Sequence, residues 1–424
     1  MYLFFTKKTI AALCFCCAVF SFTGRAFAQD RSLGRIADDS GVRISVRDTW
    51  LSESADRVLS MPRVMHDLRG GGRVELRAEA GRDEFLVVFA RELRDTGQFP
   101  GWAQGSWILT RRRDTGAATR IRVFPRSDPF TYIQFRPFST DRVQMDVVVY
   151  DAFVVRSLPL PVTMDRLYTM PLNEVLNLAG DRFPRRYFEP DPDNYCAQRE
   201  FITQVRQRLP ELRFADDGAV DHNGQFVYIA TGLEQQDQPG LNCSGFAKYL
   251  IDGILRPITG QRLEIPPLKA PFGSRGSSFT EFWEELRDPF FGLDWIRNLS
   301  SRAWTTLRSP AFSSLNEIEV RHEPFSQLII RSGTDSTFQS FSGFQENAGY
   351  NIEGLLPLLY TLAIDEPGRF YLAAVNEEVG PPATEANPRG RPRMRQYFHV
   401  AALVPYFNEH GVFQVAVFES AAET

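Results

Sequence analysis

Residues 240–255 read Gly-Leu-Asn-Cys-Ser-Gly-Phe-Ala-Lys-Tyr-Leu-Ile-Asp-Gly-Ile-Leu. Phe246, Ala247, Leu250, Ile251, Ile254 and Leu255 recur at helical spacing, so one face of a helix is expected to be buried. Gly240 and Asn242 are entry residues, which sets Cys243 at or near the helix N-terminus. Unpaired amides and the helix dipole favour a thiolate there, and a depressed thiol is what a cysteine nucleophile requires. The same amides are placed to donate to a developing oxyanion. From this segment alone, a buried structural cysteine at a helix start reads equally well.

Working outward, Tyr397-Phe-His399-Val-Ala-Ala-Leu-Val404 reads as a buried strand with one histidine near its start. A histidine beside an apolar strand is more often structural; it gains meaning only together with Cys243. Val412 to Glu419 is apolar until its last residue, and Asn408-Glu-His-Gly411 between the two is a turn sequence. In an antiparallel hairpin, a three-residue turn at 408–410 sets Glu419 opposite His399, near enough to orient the imidazole. A turn of two or four residues sets Ser420 there instead, so a solvated strand-end carboxylate remains an equal reading of Glu419.

At the chain start, Lys7 and Lys8 precede the apolar run Thr9–Phe22, followed by Ala26-Phe27-Ala28. That order predicts a secretory signal peptide over 1–28, cleaved before Gln29, and hence an exported protein, periplasmic or secreted. The run has about 14 residues against the roughly 20 of a spanning helix, so no stable membrane span is expected after cleavage. The net charge is −4, and the signal holds none of the 52 acidic residues, so the mature chain is more acidic still. No long basic block points to nucleic acid. Arg389, Arg391, Arg393 and Arg395 are interrupted by Gly390 and Pro392 and read as a solvated loop. Cys14, Cys16 and Cys17 leave with the signal, and Cys196 and Cys243 remain, which in an oxidising compartment are a candidate disulfide.

Residues 41–160 are expected to form a β-rich accessory domain, read as sandwich-like. Its signals are the alternation over Arg73–Ala80, apolar Glu84–Phe89, a hairpin turn at Asp114-Thr-Gly116, and the runs Thr131–Phe135 and Val143–Tyr150. A boundary is placed near Leu158–Pro161. Beyond it, 161–424 is expected to be one α+β domain with an insertion at about 260–350. Helices are expected over Glu200–Leu209, stopped by Pro210, and over Asn351–Ile364, kinked by Pro357. Phe279–Leu286 and Phe291–Leu307 read only as aromatic, roughly amphipathic segments. Trp283, Trp295 and Trp304 read as core. Gly380–Arg395 reads as a loop. His66, His222, His322 and His410 are scattered, so no metal or other cofactor is called for.

Asn242-Cys243-Ser244-Gly245-Phe246 followed by the strand His399-Val400-Ala401 resembles the NlpC family of bacterial cell-wall peptidases, within the papain-like group. Its members carry Asp-Cys-Ser-Gly-Phe at the start of the catalytic helix and open a later strand with His-Val-Gly. Val227-Tyr228-Ile-Ala-Thr-Gly232 is similar to an aromatic stretch upstream of their cysteine, and Pro367-Gly368-Arg369-Phe370 to the strand before their histidine. The resemblance covers three separated pieces of the C-terminal part and departs from the family in having Asn before the cysteine. It implies a papain-like C-terminal domain, Cys243 as nucleophile, His399 as base and Tyr228 in contact with the nucleophile. The family's third position is usually His, Asn or Gln, so Glu419 is a departure too. It further implies peptidoglycan stem peptides, or another peptide or amide, as substrate. An inactive scaffold that binds envelope components, and an acyltransferase or transpeptidase using the same cysteine, are the alternatives. From its aromatic content the insertion is expected to form part of the cleft wall.

Overall fold

The computed structural model describes residues 2–6, 33–36, 39–68, 71–272, 288–308, 315–321, 325, 327–332, 335–340, 344, 349–379 and 394–424. The apolar run Thr9–Phe22, the cleavage site, the aromatic segment Phe279–Leu286 with Trp283, His322, and residues 380–393 of the arginine-bearing loop lie outside them. Two compact units emerge. One holds Thr23–Asp191 and Pro324–Phe341; the other holds Met1–Phe22, Pro192–Glu323 and Ser342–Thr424. The fold class is α+β.

The first unit opens helically, over Ser40–Ser45, Arg47–Leu51 and Ala55–Leu59, where strands were expected from residue 41. Its sheet is not a pair of hydrogen-bonded sheets. Eight strands, from Val64–Asp67 to Ala152–Leu160, each pair antiparallel with the next in sequence, and Gln327–Ser332 and Asp335–Ser340 extend the meander to ten. Several of the connections are short hairpin turns, which return the chain beside the strand it has just left. Gly116 at φ +69 closes the turn between Trp107–Arg112 and Ala118–Val123. Tyr150 and Asp151, both at positive φ, close the turn into Ala152–Leu160, a strand that ends where the boundary was expected, while the compact unit runs on to Asp191.

A buried cation ties the helical start of this unit to its sheet. Arg43, 1% exposed, lies over the Trp107 ring with its guanidinium carbon 3.6 Å from the centroid. It donates to the Asp39 carboxylate at 2.7 Å and to the carbonyls of Tyr168 and Met170 at 2.6 and 3.0 Å. The planar fork satisfies three acceptors while its face covers an indole, a combination lysine cannot supply.

The second unit carries a six-stranded sheet in the order Tyr350–Asn351, Tyr2–Thr6, Tyr371–Val379, Met394–Phe407, Phe413–Glu419, Ala422–Glu423. Tyr2–Thr6 belongs to the segment expected to be removed on export; here it lies parallel to Tyr371–Val379. Val400 to Val404 are all buried, as in a strand covered on both faces. The helices Cys196–Arg208, Cys243–Thr259, Phe291–Leu307 and Leu355–Asp365 all contact that strand. The α-helix begins at Leu355, so Pro357 falls in its first turn, where proline is tolerated. Among the described residues no helix is long and apolar enough to cross a membrane.

Replacing Arg43 by Met is expected to cost about 3–5 kcal/mol, because Asp39 is left as a buried charge without its counter-ion. Thermal unfolding of the protein should show a lowered transition; an unchanged one would refute the buried role of this cation.

Candidate active site

The Cys243 helix begins as the sequence predicts. Asn242 is its N-cap: the side-chain oxygen accepts the Gly245 N–H at 2.7 Å. Asn and Asp cap equally well, so the departure from the family's Asp leaves the local structure intact. It also omits a carboxylate that would repel a neighbouring thiolate. Cys243 is the first helical residue, and Gly260 in the left-handed conformation ends the helix.

Glycines set where this helix start lies. The Asn242 N–H donates to the Gly218 carbonyl at 2.9 Å. A Cβ on Gly245 would overlap that same carbonyl oxygen, and a Cβ on Gly218 would overlap the Gly240 carbonyl. The backbone is packed on backbone at the point where the thiol is presented. One turn further, Lys248 is fully buried and donates from Nζ to the Val220 carbonyl at 2.7 Å and to Asp252 at 2.6 Å. Asp252 also accepts the Leu263 N–H at 2.8 Å. Burial pulls the Lys248 ammonium below its usual range and pushes the Asp252 carboxyl up, each opposed by the partner's charge. Sequence reading passed over this pair. Its signal was an i, i+4 Lys–Asp spacing on an otherwise apolar face.

His399 stands beside Cys243. Burial raises the thiol, but the hydrogen bond to His399, the imidazole's charge, the Val400 N–H and the Ser244 hydroxyl outweigh it and bring Cys243 below its ordinary value. For His399 burial works against the charged form. Bonds to Cys243 and Glu419 and their charges prevail, and the imidazole is pushed up to about 9. Both shifts favour the thiolate–imidazolium pair. His399 Nε2 lies 2.5 Å from Glu419 Oε2, with side-chain exposures of 26% and 18%. Nδ1 is therefore the nitrogen left for the thiol.

Glu419 reaches His399 by a register that neither considered turn provides. Phe407 pairs with Phe413 and Ala402 with Phe418, so Glu419 falls alongside Ala401 and meets His399 diagonally on the same face. The turn has three residues, but they are 409–411. Asn408 N–H closes it on the Val412 carbonyl at 3.0 Å, and Gly411 takes φ +71. A three-residue hairpin loop ends in a left-handed residue, and Gly411 is the residue suited to that place. Ser420 faces no histidine; with Ala421 it forms the next turn, both at positive φ.

Tyr228 is positioned differently. It pairs with Gly218, whose carbonyl holds Asn242, so it lies near the helix start. Its side chain is 39% exposed, and its phenol makes no hydrogen bond among the described residues.

Cys196 and Cys243 are free thiols. Arg199 donates to Cys196 Sγ at 3.2 Å and to the Phe407 carbonyl at 3.0 Å. Phe407 lies seven residues along the His399 strand from Val400, roughly 23 Å at the extended rise. A disulfide requires Cα atoms within about 7 Å, so these two cannot bridge in this fold. Among the described residues no group of three His, Cys, Asp or Glu side chains is gathered for a metal ion. Trp295, expected as core, is fully buried, and its indole N–H donates to the Ser244 carbonyl at 2.8 Å.

A domain of unknown function, DUF8515, matches residues 32–187, which lie in the sheet-bearing unit. No curated protein and no solved structure matches the chain.

Alkylation of Cys243 should proceed at pH values below the range of an ordinary thiol, about 8.5, and fall only as acid protonates the thiolate. Above about 9 His399 loses its proton, so the thiolate persists but the ion pair is gone. His399→Ala should move the acid limb upward toward the ordinary thiol. A wild-type profile already at the ordinary value would count against the pair. Gly245→Ala is expected to destabilise by about 3 kcal/mol or more, at the upper end for overpacking, because the overlapping atom is backbone. An unchanged melting temperature would contradict that packing.

Proposed function

We propose that the chain is an exported cysteine hydrolase that cleaves an amide bond through an acyl-enzyme. The observation that carries this reading is the alignment of Cys243 at a helix N-terminus, His399 hydrogen-bonded to it, and Glu419 on the other imidazole nitrogen. The papain-like resemblance of the C-terminal part supports it.

In this reading His399 holds the proton of Cys243 as an imidazolium, and Glu419 fixes the ring and favours its charge. The thiolate attacks the amide carbonyl carbon, and the carbonyl π electrons move to oxygen. Cys243 stands at the positive end of its helix dipole, which favours the negative charge on that oxygen. Collapse of the adduct breaks the C–N bond, and the imidazolium gives its proton to the leaving amine. Water, deprotonated by the now neutral His399, attacks the thioester and releases the acid and the thiol. The resemblance nominates peptidoglycan stem peptides as the substrate class.

The test is incubation of the mature protein with defined muropeptides, with products read by mass spectrometry. A new free amine and carboxylate are expected, with turnover lowered at least about a thousandfold in Cys243→Ala. A reactive Cys243 with no muropeptide cleaved would remove the cell-wall substrate. A Cys243 that neither reacts nor supports turnover would remove the hydrolase and leave a binding scaffold.

A further inference from the structure

The helix Phe291–Leu307 lies in the stretch at about 260–350 that a compact papain-like domain does without. It touches both halves of the site. Trp295 sends its indole N–H to the carbonyl of Ser244, the residue next to Cys243. The Pro289 carbonyl, just before the helix, accepts the Tyr397 N–H at 2.7 Å, two residues before His399. Gly292 lies so close that a Cβ would overlap the Tyr397 carbonyl oxygen. The Phe290 and Tyr397 rings have centroids 5.6 Å apart.

The strand is irregular at that place. Val375 pairs with His399 and Asn376 with Tyr397, so Phe398 is an extra residue in the ladder. A bulge re-aims the side chains beside it and leaves the local backbone less determined by its neighbour strand. Here the Tyr397 N–H is satisfied by Pro289. The bracing helix is itself anchored. Buried Arg297 donates to Glu319 at 2.7 and 3.0 Å, and Asn298 donates to the carbonyls of Leu268 and Ala270 at 3.1 and 2.8 Å.

We infer that Trp295 is a positioning residue, which through the Ser244 carbonyl fixes the first turn of the Cys243 helix against the same element that holds the His399 bulge. The inference rests on the cysteine-hydrolase reading. The insertion thereby sets the separation of thiol and imidazole, in addition to the cleft-wall role its aromatic content suggested. A catalytic pair needs such a brace because a misplacement of about 1 Å can cost on the order of a hundredfold in rate.

The experiment compares Trp295→Phe with Leu299→Ala in the mature protein. Leu299 is fully buried on the same helix and serves as a control for lost stability. The readout is the pH profile of Cys243 alkylation by iodoacetamide. In Trp295→Phe the acid limb is expected to move up by about one unit, with a tenfold smaller thiolate fraction on that limb. In Leu299→Ala it is expected to stay at the wild-type position. An unmoved limb in Trp295→Phe, or equal shifts in both variants, would overturn the positioning role while leaving the hydrolase reading intact. A wild-type profile at the ordinary thiol value would overturn both. Should Trp295→Phe not fold, the wild-type indole resonance decides, assigned by eliminating the other five of the six tryptophans. Slow exchange with solvent and a shift that follows the Cys243–His399 titration are expected. A rapidly exchanging or pH-invariant Trp295 indole proton would overturn the inference.

Discussion

The site depends on how near one backbone comes to another. Gly245 lies against the carbonyl oxygen of Gly218, and Gly218 against that of Gly240, with no space for a Cβ at either place. Because of that approach Asn242 can use both its backbone and its side chain to fix the first turn of the helix. The glycine two residues after Cys243 is therefore a packing requirement. Buried Lys248, tied to Val220 and Asp252, secures the same contact one turn deeper.

Around that contact the electrostatics work in one direction. Burial alone would leave a neutral thiol beside a neutral imidazole. The Val400 N–H, the Ser244 hydroxyl and Glu419 each favour the charged partner nearest to them. A carboxylate in the third position stabilises the imidazolium through its full charge, which the amide of Asn or Gln would not do.

The sheet-bearing unit uses its polar groups differently. Arg43 is as deeply buried as any core side chain, yet its five donors and flat face are spent on one carboxylate, two carbonyls and an indole.

The sequence by itself determined the local elements at the site. The helix from Cys243, its Asn242 cap, the apolar His399 strand and the Phe413–Glu419 strand follow from spacing and end residues, which act within a few positions of one another. It also carried the residues that meet, since Glu419 does reach His399. Only the tertiary structure decided how they meet. The register hung on which residue takes the left-handed place: Gly411 moved the turn by one residue and the strand pairing by two. The strand Ala152–Leu160 was illegible because Tyr150-Asp151 lacks the Asn-Gly type of signal, and the surrounding sheet holds both residues at positive φ. Trp295 read as core and is core, but its bond to Ser244 joins segments far apart in sequence. No local pattern encodes such a contact, because it exists only once loop closure has brought the two elements together.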